Sequence, residues 1–67
     1  MKWEAKSQSI KPRHYEIKLD PSAGYYLYVY ENGKCIRDYL NDSLELAMEY
    51  ALEDFGVPLE LWKKIKE

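Results

Sequence analysis

The chain is poor in the residues that usually reveal chemistry. Among its 67 residues there is one cysteine, Cys35, and one histidine, His14. One cysteine excludes an internal disulfide, and one His with one Cys on separate predicted strands makes neither a metal-ligand set nor a nucleophile and base. Three scattered glycines cannot form a phosphate-cradling loop. No apolar run approaches the roughly 20 residues that span a bilayer. With no secretory hydrophobic segment either, a cytoplasmic location is expected. No catalytic residue, cofactor or metal is predicted, and the chain reads as a non-enzyme.

Basic residues are missing from the middle. Residues 19–61 hold nine acids against Lys34 and Arg37, whereas residues 1–18 hold five Lys or Arg against Glu4 and Glu16. Lys63, Lys64 and Lys66 close the chain. The net charge of −2 therefore hides a segregation, with basic ends flanking an acidic centre. Such ends lie back on the acidic body or stay solvated, or else contact nucleic acid or an acidic partner.

Tyrosine is abundant. In Tyr25-Tyr26-Leu27-Tyr28-Val29-Tyr30, a period of two puts Tyr26, Tyr28 and Tyr30 on one side of a strand and Leu27 and Val29 on the other. Upstream, Tyr15, Ile17 and Leu19 alternate with His14, Glu16 and Lys18, which predicts a half-buried strand ending at Asp20-Pro21-Ser22-Ala23-Gly24. Asn32-Gly33 is a two-residue hairpin turn, which makes Lys34 to Leu40 the returning strand. Regular pairing from that turn would place Cys35 opposite Tyr30, Arg37 opposite Tyr28 and Tyr39 opposite Tyr26, with Ile36, Asp38 and Leu40 on the aliphatic side.

Asp42-Ser43-Leu44-Glu45 reads as a capping box with Asp42 as N-cap, opening a helix to Phe55. Leu44, Ala47, Met48, Ala51, Leu52 and Phe55 form its buried stripe. Gly56 ends it, with Val57 expected against Leu52 in a Schellman cap, and Pro58 starts a last short helix with Leu61, Trp62 and Ile65 inward. Residues 1–12 have no sustained period and read as a mobile arm, in which Trp3 could dock on the domain or on a second chain. The expected architecture is thus α+β: a single domain over residues 13–67, with a three-stranded antiparallel sheet, one main helix packed on one face and a short C-terminal helix.

The helix is expected on the aliphatic face, because four buried tyrosine hydroxyls would all need partners. That leaves two candidate surfaces. One is the tyrosine face of Tyr26, Tyr28, Tyr30 and Tyr39, with Arg37 stacking on a ring. The other is the outer helix face of Glu45, Glu49 and Glu53, where acids repeat at i+4 with no basic residue to offset them. Each is either a plain solvated surface or a docking site for another protein or, at the tyrosine face, for a second copy. Sheet aromatics with Lys11, Arg13, Lys63 and Lys64 also suit a single-stranded nucleic acid, although the acidic body opposes it.

The stretch from Gly24 to Trp62, with its aromatic strand, Asn32-Gly33 turn, Ser43-Leu44-Glu45-x-Ala47 and Phe55-Gly56-Val57, resembles short uncharacterised bacterial proteins built as a hairpin followed by a helix. It is also distantly similar to HicB-type antitoxins, which neutralise a small toxin. The chain lacks the Pro- and Gly-rich segment those proteins carry between strands. The resemblance implies an antitoxin or immunity-like role.

Overall fold

A computed structural model describes residues 1–7 and 13–66. One main helix packs on an antiparallel sheet, but the sheet has five strands rather than three. They are β1 (Lys2–Ser7), β2 (Arg13–Asp20), β3 (Gly24–Glu31), β4 (Lys34–Asn41) and β5 (Lys63–Ile65), in the order β4-β3-β2-β1-β5. Helix α1 spans Leu44–Phe55, and a single 3-10 turn covers Leu59–Leu61.

The N-terminal strand corrects the expectation of a mobile arm over residues 1–12, of which residues 8–12 lie outside the described ones. Lys2, Glu4 and Lys6 alternate with Trp3 and Ala5, and the latter two are buried against β2 and the core. Leu19 N–H also donates to the Met1 carbonyl at 3.0 Å. The expected C-terminal helix is corrected too. Trp62 leaves the 3-10 turn with extended backbone and inserts into the core, and Lys63–Ile65 then pairs with β1.

Local signals account for the turns. Asn32 and Gly33 both have positive φ, 53° and 79°, as a type I′ hairpin requires. Asp20 Oδ1 accepts the Ser22 N–H at 2.9 Å, which holds the β2–β3 turn. Gly24 follows at φ 131°, and a Cβ there would sit 2.6 Å from the Asn41 carbonyl oxygen. Only glycine lets β3 begin that close to the end of β4.

A β-bulge corrects the hairpin register. Glu31–Lys34 and Tyr30–Cys35 pair as expected, but between Val29 and Tyr30 the ladder slips by one residue. Ile36 is the extra residue, so Val29 faces Arg37, Leu27 faces Tyr39, Tyr28 faces Asp38 and Tyr26 faces Leu40. The slip moves Asp38 off the aliphatic face and brings Tyr39 onto it, where its ring lies 4.5 Å from Tyr50 and 6.3 Å from Phe55. Leu40, expected in the core, is 51% exposed.

The core lies between the sheet and α1. Ile17, Leu27, Val29 and Tyr15 from the sheet meet Ala47 and Ala51 from the helix, with Trp3, Val57 and Trp62 filling the β1 side. The small alanines let α1 approach the strands closely. Its N-cap is Ser43 rather than Asp42: Ser43 Oγ accepts the Leu46 N–H at 3.1 Å. At the other end Gly56, at φ 68°, donates its N–H to the Leu52 carbonyl, and the Val57 N–H donates to the Ala51 carbonyl, so a left-handed residue and two nested bonds close the helix. Leu52, expected in the buried stripe, is 41% exposed, while Val57 is buried.

Candidate docking surface on the open sheet face

The helix and core residues take one face of the sheet, and among the described residues no element packs over the other. On β2, burial of Tyr15 and Ile17 under the helix turns His14, Glu16 and Lys18 to the open side. Registers then fix three rows across it: Ile65, Lys2, Lys18, Tyr26 and Leu40; Lys63, Glu4, Glu16, Tyr28 and Asp38; and Lys6, His14, Tyr30 and Cys35. One half of the face is charged and the other is aromatic.

The aromatic half is a ladder along β3. Tyr26 and Tyr28 stack with centroids 5.9 Å apart, Tyr28 and Tyr30 lie 6.5 Å apart, and His14 sits 5.6 Å from Tyr30. Lys18 Nζ lies 5.9 Å from the centre of the Tyr28 ring, a cation–π distance. All three tyrosines are half-buried. Burial, then the neighbouring Tyr26 and Asp38, pushes the Tyr28 hydroxyl above its ordinary value, and burial followed by the Glu16 carboxylate does the same to Tyr30.

Glu16 anchors the charged half. It is only 7% exposed although it stands on an uncovered face, because lysines and rings close around it. Burial acts to raise its pKa, but the hydrogen bond from Lys2 and the nearby charges of Lys2, His14 and Lys18 together hold it below the usual glutamate value. Lys2 Nζ lies 2.7 Å from Glu16 Oε1. Around it, Glu4 lies 3.4 Å from His14 and 4.0 Å from the largely exposed Lys6, a pairing worth little.

The structure divides the residues that sequence reasoning grouped together. Tyr26, Tyr28 and Tyr30 share the open face. Tyr39 is on the opposite face, half-buried beside Tyr50, whose hydroxyl is pushed up to about 12, first by a hydrogen bond to Asp54, then by burial and by a hydrogen bond to Tyr39. Arg37 does not stack on Tyr28. It is exposed opposite Val29, and its Nη1 donates to the Ile36 carbonyl at 2.8 Å. Lys18 occupies the cation position instead. Cys35 is exposed, and its thiol donates to the Arg37 carbonyl at 3.4 Å. Glu45, Glu49 and Glu53 are all exposed on α1, on the far side of the sheet from the tyrosines.

Sequence reasoning missed Lys2, Glu16 and Lys18 as members of the surface, and placed Lys63 beside the sheet aromatics only in the nucleic-acid reading. The signal was present on β2, whose polar residues must lie beside the tyrosines once β2 and β3 pair. Among the described residues no cluster of three or more His, Cys, Asp or Glu is placed to hold a metal, and no helix is long and apolar enough to cross a membrane. No family model, curated protein or solved structure matches the chain.

Proposed function

We propose that the protein is a non-enzymatic interaction module that docks another protein on the open sheet face, with the acidic outer surface of α1 as a second contact. The observation that carries this reading is the half-buried ladder of Tyr26, Tyr28 and Tyr30 on an uncovered face, flanked by lysines. Tyrosine supplies large contact area at low entropic cost and is enriched in interface hot spots. A partner reaches the face more readily than it extends the sheet. The β5 edge is three residues long, and at the β4 edge the bulge and the Arg37 and Cys35 side chains occupy the Ile36 and Arg37 carbonyls. An antitoxin-like or immunity-like role is one biological form of such a module.

The test is capture of a partner by the tagged full chain. Replacing Tyr28 and Tyr30 together by Ala should abolish capture while the far-UV circular dichroism stays that of the parent. Undiminished capture by the folded double variant would sink the reading. A second reading, single-stranded nucleic-acid binding, is favoured by Lys18 over the Tyr28 ring with Lys2, Lys6 and Lys63 on the same face. A labelled oligonucleotide titrated at low salt separates the two, since phosphate contacts are strongest there.

A further inference from the structure

The open face and the outer surface of α1 complement each other in charge and in apolar content. The face holds Lys2, Lys6, Lys18 and Lys63 against Glu4, Glu16 and Asp38, beside three tyrosine rings. The helix exposes Glu45, Glu49, Glu53 and Asp54 with no basic residue, and among them Leu46 and Leu52 are 48% and 41% exposed. Exposed leucines between unbalanced acids are poorly served by water alone, and rings flanked by lysines are the matching environment. The two surfaces lie on opposite sides of the sheet, so one molecule cannot join its own pair.

We infer that the open face receives the acidic helix of a second copy of this chain, in a head-to-tail contact. This rests on the reading of the open face as a docking surface and names its occupant. The dimensions agree. Glu45 to Glu53 spans about 12 Å along a helix. Lys18 and Lys63 are two strands and two residues apart, about 12 Å on the diagonal of a sheet. Lys18 and Lys63 are exposed and match Glu53 and Glu45 of the second copy in spacing, while its Leu52, beside Glu53, meets the tyrosine rings next to Lys18. A 12-residue helix covers a strip about 18 Å by 10 Å, which places the contact at the small, weak end of protein interfaces and makes it sensitive to salt. Because the two surfaces differ, each copy offers one of each and the assembly does not close at a dimer.

Sedimentation of the full chain from about 10 μM to about 1 mM tests this, with low salt and about 0.5 M salt compared. The average mass should climb past that of a dimer at low salt and fall back at high salt. Two variants sharpen the result: K18E/K63E on the sheet and E45K/E53K on the helix. Each alone should be monomeric because its face and its helix then carry like charges, whereas their mixture, in which both the wild-type pair and the charge-swapped pair join opposite charges, should associate again. That rescue also shows that both variants fold. A wild-type monomer at the highest concentration overturns the inference, as does self-association that either variant retains alone or a mixture that stays monomeric. Saturable binding of a single-stranded oligonucleotide by a monomeric wild type, lost in K18E/K63E, assigns the face to nucleic acid and likewise overturns it. If the wild type is monomeric yet the Tyr28 and Tyr30 double variant loses a captured protein, the docking reading stands and only the second copy is excluded.

Discussion

On β2, Tyr15 and Ile17 are sealed beneath the helix, while His14, Glu16 and Lys18 stand on the other side of the same strand, where among the described residues their neighbours lie in the sheet. The helix side is closed by residues distant in sequence: Ala47, Ala51, Val57 and Trp62 all converge on β1 to β3. The open side is held by cross-strand pairs, Lys2 with Glu16, Glu4 with His14 and Lys18 with Tyr28. Glu16 shows that a side chain can be buried without a core above it when its sheet neighbours are long enough to fold over it. The two sides therefore differ in what a substitution removes. One loses packing and leaves a cavity; the other loses a pair interaction and opens to water.

The largest effect is expected at the centre of the helix side. Leu27→Ala removes a fully buried side chain and should destabilise by about 2–5 kcal/mol, read from the shift in urea midpoint at unchanged slope. A cost below about 1 kcal/mol would mean that the helix does not seal this face. Next comes the pair that the bulge exchanges. Tyr39→Ser should cost about 1–3 kcal/mol because the ring packs on Tyr50 and Phe55, while Leu40→Ser should change stability by no more than about 0.5 kcal/mol. The reverse ranking would restore the unbulged register.

A smaller effect than at Leu27 is expected for the ion pair on the open side. Glu16→Gln should cost about 1–2 kcal/mol at neutral pH, mostly through the ion pair with Lys2. Its sign with pH is definite. The folded-state pKa lies below the unfolded value, so the stabilisation is present above about pH 4.5 and is lost as pH falls through the lower folded value. Urea unfolding at a series of pH values should show parent and variant converging in acid. A gap of constant size down to pH ~2 would show that the carboxylate charge is not what Glu16 contributes.

Where neighbours in sequence carried the signal, it was legible. The Asn32-Gly33 turn, the alternation on β2, the tyrosine run and the Ala47/Ala51 stripe all stand as read, since each depends on a few adjacent residues and on periods of two or 3.6. The helix also takes the aliphatic face as expected. β1 escaped notice because only Trp3 and Ala5 mark its buried side, and β5 because three residues are too few to show a period. Of the candidate site, Tyr26, Tyr28 and Tyr30 were readable as a unit, whereas Tyr39 and Arg37 were assigned to the wrong side through the bulge.

What the amino-acid order settles unaided is the alternation within each strand, the type I′ turn and the apolar stripe of the helix, because steric and hydrophobic preferences act over a few residues. Three things waited on the tertiary fold. β1 and β5 join the sheet only because β2 is there to pair with β1, and β1 with β5. The one-residue slip at Ile36 fits a structure in which Tyr39 finds Tyr50 and Phe55 beneath it. And the tyrosine run becomes part of a lysine-flanked surface only when β1, β2 and β5 assemble beside it, since a strand determines which way its own side chains point but not what stands next to them.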